Sequence, residues 1–156
     1  MRKPAIGRTL TDCGSEQEPI ARQIRVLVAD DNPAILDAVS ELLGVDFLVV
    51  GTCSDGESVL REASASTPDV IVLDISMGDL SGIEVARRLQ DTSCYIKIVF
   101  LTVHENAEFV RSALAAGGAA YVFKSRLHAD LIPAIHAACS GKLFVSCRTF
   151  HVPSRP

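Results

Sequence analysis

The chain has 156 residues, 48% of them hydrophobic and 22% charged, which is enough for one globular domain with a real core. Its formal net charge of −4 argues against binding to a nucleic-acid backbone, so we expect no DNA binding by this chain itself. Five cysteines without CxxC spacing predict reduced thiols and a cytoplasmic protein, and no apolar run predicts a signal peptide or a membrane span.

Hydrophobic patterning divides the chain into three parts. Residues 1–22 are polar and lack a sustained period, which predicts a disordered N-terminal extension. Strand-like and helix-like segments then alternate, which predicts one folded domain over residues 23–141. We expect residues 142–156 to form a C-terminal tail or a truncated linker.

Five short segments have the composition of β-strands. Four of them are nearly continuous apolar runs, the pattern expected for parallel strands that are covered on both faces of a sheet. The predicted strands are Ile24–Ala29, Phe47–Cys53, Val70–Leu73, Ile96–Leu101 and Ala119–Phe123.

Helical patterns fill the intervals between these strands. The first begins with a capping Asn32 and with Pro33 in its first turn, and the next two each open with a capping box. The fourth is expected to stop at Gly117-Gly118, and the fifth to begin late or bend near Pro133, which lacks a backbone donor. The two capping boxes are Ser54-x-x-Glu57 and Ser81-x-x-Glu84, and the last two helices are predicted at Asn106–Ala116 and Ala129–Ser140.

Five successive βα units predict an α/β fold with a parallel sheet wrapped by helices on both faces. A closed barrel of eight such units needs about 250 residues, so the length of the chain excludes it. An open, doubly wound sheet remains, and ligands of such sheets bind outside the carboxyl ends of the strands.

Polar residues gather at these predicted carboxyl ends: Asp30 and Asp31 after the first strand, Asp74 after the third, Thr102 after the fourth and Lys124 after the fifth. Taken singly, each is more often a turn former, a helix cap or a solvated charge than a functional residue. Together, three carboxylates would repel one another unless a cation neutralised them, and Mg²⁺ prefers such oxygen ligands. A lysine and a hydroxyl group suit a phosphoryl group beside that ion.

Five motifs lie at characteristic separations: Val28–Pro33, Val72–Met77, Gly82–Glu84, Leu101–His104 and Tyr121–Lys124. With them, residues 24 to about 141 closely resemble the receiver domain of bacterial response regulators. The resemblance implies a flavodoxin-like, doubly wound (βα)5 three-layer sandwich with strand order 2-1-3-4-5. The Lys-Ser pair after the fifth strand, together with Leu-Thr-Val-His-Glu, is similar to the subfamily that carries a LuxR-type helix-turn-helix domain.

The same resemblance implies roles for the residues at the strand ends. Asp74 corresponds to the phosphoacceptor, and Lys124 to the lysine that pairs with the phosphoryl group. Asp31 corresponds to a direct Mg²⁺ ligand, Asp30 to a ligand that acts through water, and Ser76 to the residue whose backbone carbonyl completes the site.

Further correspondences concern switching. Thr102 is similar to the hydroxyl that moves toward the phosphoryl group, and Tyr121 to the aromatic residue that changes rotamer with it. Ser76 and His104 occupy positions that in this family tune the lifetime of the phosphorylated form.

Two departures from the family pattern stand close to this site. Gly78 occupies the position where proline is usual, which predicts a looser loop after Asp74. Ser125 follows Lys124 where many receivers have a proline.

Other classes of protein fit the residues less well. An aspartyl-phosphate phosphatase of the haloacid-dehalogenase type needs an acid where Ser76 stands, and a dinucleotide-binding domain needs glycines where the acidic Asp30–Pro33 turn stands. A receiver-like scaffold that never accepts phosphate remains an alternative, although the complete Asp/Thr/Lys set argues against it.

The resemblance also implies partners. A histidine kinase is the expected phosphoryl donor, and self-association is expected through the face of the fourth helix, fifth strand and fifth helix, with Phe109, Val110 and Ala113 as candidate contacts. Fifteen residues follow Gly141, fewer than a helix-turn-helix domain needs. The sequence leaves open whether the chain is a stand-alone receiver or a fragment of a DNA-binding regulator.

Overall fold

A computed structural model describes residues 22–93 and 95–147. The predicted N-terminal extension, apart from Arg22, and residues 148–156 of the predicted tail lie outside the described residues. The described part contains the strands Arg25–Ala29 (β1), Leu48–Cys53 (β2), Val70–Leu73 (β3), Lys97–Thr102 (β4), Gly118–Phe123 (β5) and Phe144–Val145 (β6). Its α-helices are Pro33–Leu43 (α1), Gly56–Ser66 (α2), Gly82–Thr92 (α3), Ala107–Ala115 (α4) and Leu127–Cys139 (α5).

All of these strands pair in parallel in one sheet, in the order β2-β1-β3-β4-β5-β6. The predicted fold and the order of its first five strands are therefore confirmed. The sheet has one strand more than predicted, because Phe144 and Val145 pair with Ala120 and Tyr121 of β5. These two residues had been expected to belong to the C-terminal tail.

The core has two layers, one on each face of the sheet. Side chains alternate between the faces along each strand, so that Val26 and Val28 of β1 pack on one side and Leu27 on the other. Helices α1 and α5 cover the first side, and α2, α3 and α4 cover the second. Residues of the central strands β1 and β3 are almost fully buried, which explains their continuous apolar composition.

Side-chain caps fix where most of the helices begin. Asn32 and Ser81 cap α1 and α3 as predicted, each by accepting a hydrogen bond from a backbone N–H of the first turn, and Asn106 caps α4 in the same way. For α2 the prediction was one residue too early, because Asp55 rather than Ser54 accepts the bond from the backbone of the first turn. A carboxylate at this position also meets the positive end of the helix dipole.

The start of α5 also differs from the prediction. A single 3-10 turn over Lys124–Arg126 leads directly into α5 at Leu127, so the helix begins two residues early rather than late. Pro133 therefore lies inside the helix. Burial of Leu127 and Leu131 in the core favours this early start over the backbone preference of proline.

No helix in residues 22–93 or 95–147 combines the length and the apolar composition that crossing a membrane requires.

Glycine at position 82 holds the start of α3 against the residue after β3. A Cβ atom at Gly82 would overlap the carbonyl oxygen of Asp74, whereas a Cβ atom at Gly78 would meet nothing within 4 Å. We expect Gly82→Ala to lower the free energy of unfolding by about 3 kcal/mol or more, because backbone must move to relieve the overlap. Gly78→Ala should lower the free energy of unfolding by only about 1–2 kcal/mol, because the backbone φ of +79° disfavours a residue with a Cβ atom.

Denaturant unfolding of the two variants beside the wild type measures both costs. Equal losses for the two variants would contradict the close approach of α3 to Asp74.

Candidate functional site

Three aspartates converge at the carboxyl edge of the sheet. Asp30 and Asp31 follow β1 and Asp74 follows β3, and these strands are neighbours in register, with Ala29 beside Leu73. One carboxylate oxygen from each aspartate lies within 4.8 Å of the others. Asp30 and Asp74 are only 1% and 4% exposed, whereas Asp31 is open to solvent. The predicted acidic cluster is therefore present as a partly buried site.

Lys124 joins two of these carboxylates from the end of β5. Its Nζ atom lies 2.7 Å from Oδ2 of Asp30 and 3.2 Å from Oδ2 of Asp74. Oδ1 of Asp30 accepts a hydrogen bond from the backbone N–H of Asn32 at 2.9 Å. Oδ2 of Asp30 is buried, and among the described residues its one partner is the ammonium group of Lys124. One buried acceptor in this cluster is thus left without a full set of partners.

Electrostatics in this cluster are not balanced by protein groups alone. Burial raises the pKa of Asp74, the charge of Asp30 raises it further, and Lys124 opposes both. Burial on its own lowers the pKa of Lys124, but its hydrogen bonds to Asp30 and Asp74 and their charges outweigh this and raise it. Three carboxylates facing one ammonium group, with an under-coordinated buried oxygen, fit the oxygen donor set that a hard divalent cation takes.

A chain of contacts runs from this site through His104. The backbone N–H of His104 donates to Oγ1 of the buried Thr102 at 3.3 Å, and its carbonyl accepts from the hydroxyl of Tyr121 at 2.7 Å. The imidazole Nε2 lies 3.0 Å from Oγ of Ser76, and the ring stacks on Phe109 of α4 at 4.0 Å. His104 thus connects the loop after Asp74 with the start of α4.

Tyr121 lies inside the protein. Its side chain is fully buried beside the rings of Phe100 and Phe123. Burial, with a smaller contribution from the charge of Asp74, raises the pKa of its hydroxyl to about 12. The phenol is therefore a neutral hydrogen-bond donor, and it holds the carbonyl of His104 in place.

The loop after Asp74 has the shape that its glycine allows. The backbone N–H of Ser76 points to Oδ1 of Asp74 at 3.4 Å, and Met77 is buried in the core. Gly78 has a φ of +79°, which a proline ring cannot adopt.

No peptide bond is cis among the described residues, including the one between Lys124 and Ser125. Ser125 instead donates a hydrogen bond to Glu105 at 2.8 Å.

A cavity opens beside the exposed member of the cluster. It has a volume of about 790 Å³ and lies between the loop after β2 and the loop after β3. Its lining includes Asp31, Asp55, Arg61 and Leu80. The acidic cluster is therefore accessible from solvent on this side, although Asp30 and Asp74 are buried.

A family model described as the response regulator receiver domain matches residues 26–136. This match covers more than half of the chain, and the chain therefore belongs to the receiver domain family of two-component signalling. The fold and the acidic edge of the sheet agree with this assignment.

Curated relatives are longer than this chain. It is 34% identical over 134 residues to the nitrate/nitrite response regulator NarL of Escherichia coli K12, an alignment that covers 85% of this chain and 60% of NarL. It is 35% identical over 125 residues to the response regulator GacA of Pseudomonas viridiflava, with 79% of this chain and 58% of GacA covered. The chain therefore spans less than two thirds of the length of these relatives.

Solved structures of receiver domains and LuxR-family response regulators have the same fold as this chain. A LuxR-family response regulator from Aurantimonas sp. SI85-9A1 superposes with a TM-score of 0.75 at 28% identity, over 79% of this chain and 89% of the other. The receiver domain of a NarL from Mycobacterium tuberculosis superposes with a TM-score of 0.74 at 27% identity, over 78% and 99%. The similarity to the LuxR-type subfamily that the sequence motifs predicted is thereby confirmed.

Charge crowding at Asp74 predicts an effect on stability. We expect Asp74→Asn to raise the melting temperature of the metal-free protein by a few degrees at neutral pH. The folded-state pKa of Asp74 is raised, so its ionised form costs stability above that pKa, while Lys124 keeps Asp30 as a partner in the variant. As the pH falls through the raised pKa, Asp74 takes up a proton and the difference should shrink.

Thermal unfolding in the presence of a chelator, at neutral pH and at about pH 4, measures this difference. Asp37→Asn on the exposed side of α1 serves as a matched control and should leave the melting temperature unchanged. A lower melting temperature for Asp74→Asn at neutral pH would show that the cluster is not under electrostatic strain.

Proposed function

We propose that Asp74 accepts a phosphoryl group from the phosphohistidine of a histidine kinase and that this changes a protein-interaction surface. The observation that carries the proposal is the position of the buried Asp74 carboxylate, which lies beside Asp30 and Asp31 and 3.2 Å from the ammonium group of Lys124. A carboxylate beside a cation that can offset the charge of the incoming group is a suitable nucleophile. Cytoplasmic localisation stays a prediction from the cysteine pattern.

The donor set of the cluster suits Mg²⁺. We assign Asp31 and Asp74 as direct ligands, Asp30 as a ligand through water, and the backbone carbonyl of Ser76 as the remaining protein ligand. When bound, Mg²⁺ supplies positive charge that offsets the carboxylates and the phosphoryl oxygens. Asp31 is the exposed member of the cluster and borders the cavity, so it faces the side from which a donor would approach.

In the transfer, a carboxylate oxygen of Asp74 forms a bond to phosphorus while the P–N bond of the donor phosphohistidine breaks. The leaving imidazole takes up a proton, and the product is an acyl phosphate on Asp74. Lys124 already lies 3.2 Å from this carboxylate and can pair with the phosphoryl oxygens as charge develops on them. Hydrolysis by water later returns the carboxylate and inorganic phosphate, so the chain acts as a signalling phosphoacceptor that turns over no metabolite.

Thr102 and Tyr121 are the proposed switch residues. A phosphoryl group adds roughly −1.5 to −2 charges and new acceptor oxygens. The hydroxyl of Thr102 can donate to them if it leaves its contact with the backbone of His104. The side chain of Tyr121 is fully buried. We assign this buried position of the ring to the phosphorylated state. Ser76 and His104 are bonded to each other across this site and are proposed to tune the lifetime of the acyl phosphate.

The output surface that we propose comprises α4, β5 and α5, through which the phosphorylated chain would self-associate. Phe109 and Val110 are partly buried and remain candidates for this contact. Ala113, named with them from the sequence, is fully buried in the core and cannot contribute. The net charge of −4 disfavours DNA binding by this chain, and phosphorylation makes the charge more negative.

The Mg²⁺ dependence of phosphorylation should distinguish the nucleophile, Asp74, from the metal ligand Asp31. With acetyl phosphate as the donor, Asp74→Asn should abolish the gain of one phosphoryl mass at every Mg²⁺ concentration. Asp31→Ala should instead raise the Mg²⁺ concentration needed for half-maximal phosphorylation by about 10- to 100-fold, because a ligand is lost but the nucleophile remains.

Asp79→Ala is the matched control, since Asp79 is an exposed acid that lines the same cavity but lies outside the cluster. Its Mg²⁺ dependence should equal that of the wild type. Undiminished phosphorylation of Asp74→Asn, or equal Mg²⁺ dependence of Asp31→Ala and Asp79→Ala, would refute the assigned roles.

A further inference from the structure

The segment after α5 is bound to the outer edge of β5. The backbone N–H of Ser146 donates to the carbonyl of Tyr121 at 2.8 Å, and the backbone N–H of Phe123 donates to Oγ of Ser146 at 3.1 Å. Ser146 is 4% exposed, although it follows a strand of only two residues. Its side chain therefore satisfies a backbone donor that the short strand β6 does not reach.

A buried carboxylate holds this serine in place. The hydroxyl of Ser146 donates to Oδ2 of Asp130 at 2.6 Å. Arg126 donates to both oxygens of the same carboxylate, from Nε at 2.8 Å and from a terminal nitrogen at 3.2 Å. The hydrogen bond and charge of Arg126 outweigh the effect of burial and hold the pKa of Asp130 below its usual range, with Ser146 contributing. Hydrogen bonds to an ionised group are stronger than those between neutral groups.

This network includes residues on both sides of Lys124 in the chain, the proposed phosphate-pairing lysine. Phe123 directly precedes Lys124, and Arg126 ends the 3-10 turn that Lys124 begins. Phe123 is therefore hydrogen-bonded directly to Ser146, and Arg126 is linked to Ser146 through Asp130. A shift of the Lys124 backbone would change the geometry of these bonds.

The proposed switch residue is in contact with the same segment. Val145 of β6 is the register partner of Tyr121 in β5, so their side chains leave the sheet on the same face. Val145 packs against the core cluster that contains Tyr121. Val145 therefore lies beside Tyr121 at this edge of the sheet, where it would limit an outward movement of the ring.

We propose that Phe144–Ser146, the docked segment, is an output element whose binding to β5 is stabilised by the phosphoryl group on Asp74; this rests on the proposed function. Docking keeps Tyr121 in its buried position, which is the packing that a displaced Thr102 favours. Because coupling between two sites is reciprocal, a phosphoryl group that favours buried Tyr121 also favours docking. The docked segment would thereby be held at one edge of the sheet in the phosphorylated state.

Hydrogen exchange with and without beryllofluoride and Mg²⁺ tests this coupling. The amide of Ser146 should exchange about five- to tenfold more slowly when beryllofluoride is bound, because its bond to Tyr121 opens less often. Ser146→Ala and Asp130→Asn should abolish this slowing and weaken beryllofluoride binding by about the same factor. Ser140→Ala, an exposed serine at the end of α5, is the control and should behave as the wild type.

Exchange in the loop after Asp74 reports on the proposed function separately, and thermal unfolding verifies that each variant folds. Slower exchange in that loop without any change at Ser146 would overturn the docking proposal and leave the phosphoacceptor assignment intact. Faster exchange at Ser146 would overturn it as well. A wild-type protein that responds nowhere to beryllofluoride would contradict both proposals.

Discussion

Two buried carboxylates share one ammonium group at the carboxyl edge of the sheet, and the proposed chemistry depends on this arrangement. The parallel order of β1, β3 and β5 brings Asp30, Asp74 and Lys124 together from residues up to 94 positions apart in the chain. The two carboxylates already outnumber the single ammonium group, and with Asp31 three acids face one cation. A site of this kind attracts a divalent ion, and together with it the lysine can offset the negative charge of an incoming phosphoryl group.

His104 carries the connection from this site to the surface. Its backbone N–H donates a hydrogen bond to the hydroxyl of Thr102, and its carbonyl accepts one from the hydroxyl of Tyr121. Its ring contacts Ser76 and Phe109. A movement of Thr102 toward the phosphoryl group would break the first of these bonds, and the others would have to rearrange. The result is a small set of alternative packings rather than a gradual deformation, as close-packed interiors require.

Much of the fold and the acidic cluster was predictable because both follow from local patterns. Continuous apolar runs identified the buried strands, and their predicted parallel direction then placed the residues after their carboxyl ends, Asp30, Asp74 and Lys124, at one edge. The strand Phe144–Val145 was missed because two residues carry no periodicity. The buried contacts of Ser146 were missed because its partners lie on β5 and α5, and no local signal marks a serine that will bind a distant carboxylate.

The central claim is that Asp74, and no other acid of the cluster, becomes an acyl phosphate. Borohydride reduces an acyl phosphate to an alcohol, so treatment of the phosphorylated protein converts the modified aspartate into homoserine. Peptide mapping by mass spectrometry then locates the converted residue directly in the wild-type chain. We predict conversion at Asp74 alone; conversion at Asp30 or Asp31, or a phosphoryl group that resists borohydride, would contradict the account.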